Sequence, residues 1–142
     1  MEENLKQLLL KDLSARLPYG VKVLADIDKT FDEGHIGIIN MIQPYVGDKY
    51  PKLKEQYLLY LNGCLTPLTI DEVRPYLFPM SSMTEEQILK YHNFCDVGLT
   101  EWGNELYYDC AESLDWLNEN HFDYRGLIDK GLALDATGLN IY

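Results

Sequence analysis

Nowhere do the 142 residues hold an apolar run near the roughly 20 that a membrane-spanning helix needs; "LLL" at Leu8–Leu10 and "GIINMI" from Gly37 are core-sized. The first residues, "MEENLKQ", are acidic and polar and lack the apolar stretch of a secretory signal. Only three cysteines are present, Cys64, Cys95 and Cys110, widely spaced and without a C-x-x-C. That rules out a four-cysteine zinc site and points to free thiols in a reducing compartment, so a cytoplasmic location is expected. Histidine is equally sparse. His35, His92 and His121 form no H-x-x-x-H pair, so nothing supports a zinc hydrolase. There is no glycine-rich phosphate loop and no G-x-S-x-G. Positive charge is short too: 12 Lys and Arg stand against 23 Asp and Glu, a net charge of −11. A nucleic-acid binder that works by neutralising phosphates is therefore not expected.

What is present suits one ordinary domain, 1–142, long enough to bury a core without disulfides. Hydrophobic residues at 46% and charged residues at 25% are globular values. Eleven tyrosines are many for this length; their rings pack while their hydroxyls stay wet, as on half-buried sheet faces and binding surfaces.

Along the chain, "NLKQLLLKDLSARLPYG" spaces Leu5, Leu8, Leu9, Leu13 and Leu17 as a helix does, with Lys6, Lys11 and Arg16 largely off that face and Pro18 and Gly20 stopping it. "VKVLADI" alternates Val21, Val23, Ala25 and Ile27 like a half-buried strand, and "HIGIINMI" returns as its hairpin partner. "EQYLLYLNGCLTPL" suggests a second hairpin with Asn62-Gly63 as a tight turn. "VRPYLFPM" carries two prolines, which suits an edge strand or an irregular closing segment rather than a central strand. In "MTEEQI", Thr84 and Gln87 have capping-box spacing and Met83 and Ile88 staple spacing, so a helix starts at Glu85 and runs to about His92. Another helix spans Cys110–Asn120. The expected fold class is α+β: a small antiparallel sheet or open barrel (hairpins about 20–42 and 56–70), an N-terminal helix, and two or three C-terminal helices.

Two local patterns invite a catalytic interpretation. "VKVLADIDKTF" places Asp26, Asp28 and Thr30 like the D-x-D-x-T of the haloacid-dehalogenase phosphatases, which it resembles over five residues. That chemistry needs a parallel α/β sheet with later acids and a lysine, whereas here a turn and an immediate second strand follow. The same acids fail as a calcium loop, because Phe31 stands where glycine is needed. The second pattern, "HFDYR" at residues 121–125, gathers His121, Asp123, Tyr124 and Arg125. Each has a structural role in a corner between two helices. Asn120 takes the left-handed end, His121 sits at a helix C-terminus that favours positive charge, Asp123 caps a further helix, and Phe122 and Leu127 form its staple.

The charge is unevenly placed. From Asp96 to Glu119 there are seven carboxylates and no Lys or Arg. Glu101, Glu105, Asp109, Glu112, Asp115 and Glu119 are three or four residues apart, so on a helix they form one stripe, with Leu106, Cys110, Leu114 and Leu117 opposite and buried.

"LKDLSARLPYGVKV", "RPYLFPMSSMTEEQ" and "WLNENHFDYRGLIDKGLAL" together resemble a group of short uncharacterised proteins encoded by bacteriophages, prophages and mobile elements of gut bacteria. The resemblance covers under half of the chain and carries no catalytic residues with it. It implies a small accessory protein in the cytoplasm of a bacterial host. The function expected on all these grounds is non-catalytic binding of a host or phage macromolecule, with a basic protein surface meeting the acidic stripe and no cofactor, metal or membrane involved. The alternatives are a protein that binds a small nucleotide-like ligand in a pocket lined by sheet tyrosines, and a small enzyme using Asp26 and Asp28.

Overall fold

The computed structural model describes residues 1–26, 34–54, 56–64, 66–94, 98–99, 106–107 and 110–142. Helix α1 (Glu3–Arg16) forms where the leucines predict it, and a 3-10 turn at Leu17–Tyr19 ends it on Gly20. Leu9 and Leu13 are fully buried, with Leu5, Leu8 and Leu17 packed around them. One expectation for this helix fails: Arg16 lies with the leucines, not away from them, and both it and Asp12 are 0% exposed. Positions 9, 12, 13 and 16 follow the helical stripe, so the burial of the charged pair is set by the same spacing as that of the leucines.

The sheet is open and mixed. Strands β1 (Lys22–Ala25), β2 (His35–Pro44), β3 (Tyr57–Leu61) and β4 (Leu68–Thr69) pair antiparallel in succession, and β5 (Val73–Pro79) lies antiparallel to β1 on its other side. Val21, Val23 and Ala25 face the core as their alternation requires, against Ile39, Leu59, Leu61, Val73 and Leu77. A register shift between Ile39 and Met41 sets a bulge in β2.

Two details of the strands depart from the sequence-based expectation. Cys64 N–H donates to Leu61 O across Asn62-Gly63, but the strands joined here pair Leu59 with Leu68 and Leu58 with Thr69. A hairpin turn at this dipeptide would need positive φ at both residues, and only Gly63 has it (φ 78), so the connection is longer than two residues. The proline-bearing β5 is central, not an edge. Asp26 N–H bonds Glu72 O, and Leu24 lies opposite Arg74 in the same register, which leaves Pro75 at a non-hydrogen-bonded position opposite Val23. There its missing N–H is not needed.

Beyond the sheet, Thr84 begins α2 (Glu85–Phe94) with the expected reciprocal cap: Gln87 N–H donates to Thr84 Oγ1 at 3.2 Å, and Thr84 N–H to Gln87 Oε1 at 2.9 Å. The staple is incomplete. Met83 packs on the aromatic cluster, whereas Ile88 is 42% exposed. The short strands β6 (Gly98–Leu99) and β7 (Leu106–Tyr107) pair antiparallel with each other, and α3 (Cys110–Glu119) follows. After α3 the expected further helix is replaced by β8 (Phe122–Asp123), a run of turns, and β9 (Leu134–Asp135). Both strands run parallel to β5, with Phe78 opposite Phe122 and Tyr76 opposite Leu134, so the sheet is not purely antiparallel. Gly126 in this stretch has φ 68, a conformation that interrupts helix propagation.

Candidate functional site

At the end of α3 the left-handed residue is His121 (φ 60), not Asn120; Asn120 still closes the helix by donating its N–H and its Nδ2 to Trp116 O. This one-residue difference decides where the imidazole goes. The ring is 8% exposed and stacks on Tyr142, with centroids 3.7 Å apart and planes 14° apart. Burial, then the nearby charges of Arg16 and Lys22, push its pKa down to about 4. The imidazole is thus neutral near pH 7, and the favourable cation expected at the helix end is absent.

The residues next to it lock α1 to the corner. Asp123 is buried, and its Oδ1 and Oδ2 accept from the N–H groups of Leu127 (2.8 Å) and Ile128 (2.9 Å). It caps the turns between β8 and β9 rather than a helix. Phe122 joins Trp116 and Leu117 in an aromatic cluster, while Leu127 belongs to the aliphatic core, so the expected staple between them does not form. Arg16 donates from Nε and Nη2 to Asp12 (2.7 and 3.1 Å) and from Nη2 to Phe122 O at 2.7 Å. Arg125 Nε stands 3.2 Å from Asp12 Oδ1, an ion-pair distance without hydrogen-bond alignment. Tyr124 lies under both guanidinium groups and donates to Asn118 Oδ1 at 2.9 Å. Chemically, this is a clamp. Its carboxylates are engaged by guanidinium and amide donors, and His121 makes no side-chain hydrogen bond among the described residues.

Beside the clamp opens a cleft of about 490 Å³. The segment after β9 forms one wall through Thr137, Gly138 and Tyr142; Phe78, Ser82 and Gln87 form another, and Glu119, Asn120 and His121 close it. Tyr142 is held firmly: its hydroxyl accepts from Lys22 N–H at 2.9 Å and donates to Tyr76 O at 2.8 Å, standing in for a ladder bond between β1 and β5. Lys22 Nζ donates to Ile141 O. Burial raises the Tyr142 hydroxyl to about 12, so it remains protonated. Among the lining residues Tyr142 is the one tyrosine and it comes from the tail, so this is not a pocket lined by sheet tyrosines.

Of the acidic stripe, Glu101, Glu105 and Asp109 lie outside the described residues. Glu112, Asp115 and Glu119 are on α3 and exposed. A single helix through all six does not form, because Leu106 is in β7 and α3 starts only at Cys110. Leu114, expected on the buried side, is 41% exposed; Trp116 and Leu117 supply the packing face. Tyr19 borders the acids. Its hydroxyl pKa is raised by burial and then by Asp115 and Glu119, with a hydrogen bond to Asp115 contributing.

Asp26 follows β1 directly, at the start of the β1–β2 connection, and is buried there, and Asp28 lies outside the described residues. The strand that carries Asp26 is antiparallel to both of its neighbours, the opposite of the phosphatase sheet. No helix among the described residues is long and apolar enough to cross a membrane. No family model matches the chain, and no curated protein or solved structure is similar to it.

Proposed function

We propose that the chain is a non-catalytic binding protein, an accessory factor of a phage or mobile element working in the cytoplasm of its bacterial host. Its exposed α3 acids engage a basic surface on a host or phage macromolecule. The observation that carries this is where the cations go. Lys6 and the N-terminal amine pair with Asp71, Arg16 and Arg125 with Asp12, and Lys54 with Asp48. Among the described residues Asp115 and Glu119 have no ion pair with Lys or Arg, though they are four apart on one helix face. Like charges at that spacing repel by a few tenths of a kcal/mol per pair, roughly 0.2–0.5, and a basic partner removes that repulsion on binding.

The test has two steps. A partner is co-purified from host cells and identified, and its affinity is then measured across a salt series. The double variant Glu112→Lys with Asp115→Lys should bind about tenfold or more weakly at low salt, with a flatter salt dependence and an unchanged melting temperature. Normal binding by that variant at low salt ends the proposal.

A further inference from the structure

The cleft beside the clamp has a chemistry of its own, separate from the partner proposed for α3. Its polar groups are neutral except Glu119, and no Lys or Arg lines it. His121 Nδ1 is sealed from solvent and has no hydrogen-bond partner, which leaves Nε2 as the ring nitrogen able to serve the cleft. A buried lone pair without a partner is tolerated better than a buried N–H without one, which puts the imidazole proton on Nε2. That N–H is then a donor for the cleft. Gln87 adds a second. Its Oε1 is occupied by Thr84 N–H, which leaves the Nε2 amide for a ligand. Acceptors stand nearby: Asn120 gives its Nδ2 to Trp116 O and keeps Oδ1 available, and Glu119 presents an exposed carboxylate. One aromatic surface completes the site, half-buried Phe78, while Tyr142, its ring stacked on His121, backs the imidazole and sets its orientation.

Donors and acceptors together beside an aromatic face suit a planar ring whose edge carries both N–H and C=O. Amide side chains paired with stacking surfaces are the usual means of holding such rings. A volume of about 490 Å³ is within the ordinary range for small-ligand sites. A phosphate is a poorer fit, because the lining offers it Glu119 and no Lys or Arg, and Lys22, which stands over the Tyr142 ring, already donates to Ile141 O. We propose that this cleft binds an uncharged nucleobase or nucleoside with a cyclic amide edge, as in uridine and guanosine. Phe78 lies against the ring, His121, Gln87 and Asn120 meet its edge, and Tyr142 holds the imidazole in place from behind.

The experiment is a titration of ¹⁵N-labelled protein with uridine and guanosine to roughly 5 mM, and in parallel with their 5′-monophosphates. The expected result is saturable shifts confined to the amides of residues 119–122 and 137–142 and to the Gln87 side-chain amide. The monophosphates should bind about tenfold or more weakly. Gln87→Glu preserves the helix cap, since glutamate serves the same capping-box position, yet removes the donor; it should weaken binding about tenfold. His121→Asn, which keeps a residue tolerant of the left-handed conformation, should weaken it similarly. The pair Glu112→Lys with Asp115→Lys should leave nucleoside binding intact, which separates failure here from failure of the α3 proposal. Absent shifts, monophosphates that bind as tightly as nucleosides, or full affinity in both cleft variants overturns the assignment.

Discussion

Asp12 and Asp123 on one side, and Asp115 and Glu119 on the other, carry the same charge within one small region and do opposite things. The first two are buried, each oxygen met by a guanidinium or a backbone N–H. The second two are exposed on α3, with no ion pair among the described residues. The difference lies in what reaches the carboxylate. Arg16 stands one helical turn from Asp12 and also binds Phe122 O, 106 residues away along the chain. A count of acids merges the two sets. Burial and partners separate them.

The largest effect belongs to Asp12. Asp12→Ala leaves Arg16 buried with its charge uncompensated, and breaking such a pair costs about 3–5 kcal/mol. Chemical denaturation measures it directly. The double variant Asp12→Leu with Arg16→Met should recover much of the loss, because removing both charges also removes the desolvation cost. A single variant within about 1 kcal/mol of wild type contradicts the clamp.

Asp123→Ala comes next. It strips acceptors from two N–H groups, of which that of the buried Leu127 has no ready access to water, and should cost about 2 kcal/mol in the same assay. That exceeds the roughly 1 kcal/mol of a lone helix cap, since both oxygens are used.

Much of this molecule is legible in its sequence, and the missing part has a common cause. Helix α1, the β1–β2 pairing and the Thr84 cap arise from spacing within a dozen or so residues, and they stand as the patterns require. What was illegible depends on distant partners. Val73–Pro79 becomes central because Pro75 happens to meet Val23 at a non-hydrogen-bonded position. The stretch after Asp123 is drawn out of helix by parallel pairing with β5, and His121 is neutral because the fold buries it and, secondarily, because Arg16 and Lys22 arrive from α1 and β1. The cleft was invisible for the same reason: Gln87, His121 and Tyr142 share no local pattern. The clamp itself does leave a local signal. Asp12 and Arg16 continue the leucine stripe of α1, and charged residues four apart on a core-facing stripe indicate a buried pair.

His121 gives the comparison a pH axis. Its pKa is about 4 in the folded protein against 6.5 ordinarily, so the unfolded chain takes up the proton first. Stability is therefore undiminished above about pH 6.5 and falls as pH drops from there towards 4, by about 2 kcal/mol once screening by solvent in the adjoining cleft is allowed for. His121→Asn should flatten the slope of stability between pH 6.5 and 5; an unchanged slope assigns it to other groups. Tyr142→Phe is smaller again. It removes the hydroxyl bridge between Lys22 N–H and Tyr76 O but keeps the ring on His121, for a loss of about 1 kcal/mol.

The smallest effect should come from α3, and its smallness is the point. Asp115→Asn keeps the shape of an exposed side chain and deletes one charge from a face where Glu119 is its like-charged neighbour one turn on. Less repulsion and a weaker hydrogen bond from Tyr19, now to a neutral amide oxygen, oppose each other, so stability should move by less than about 0.5 kcal/mol. The charge should still register elsewhere. The Tyr19 hydroxyl is raised by burial and then by Asp115 and Glu119, so its titration, followed by ring proton shifts, should move down towards 10 in the variant. A stable fold with a shifted Tyr19 marks Asp115 as a source of field rather than of structure, which is what a recognition surface needs and a clamp does not. Were Asp115→Asn instead as damaging as Asp123→Ala, the α3 acids would belong to the architecture, and the distinction between the two sets of carboxylates would collapse.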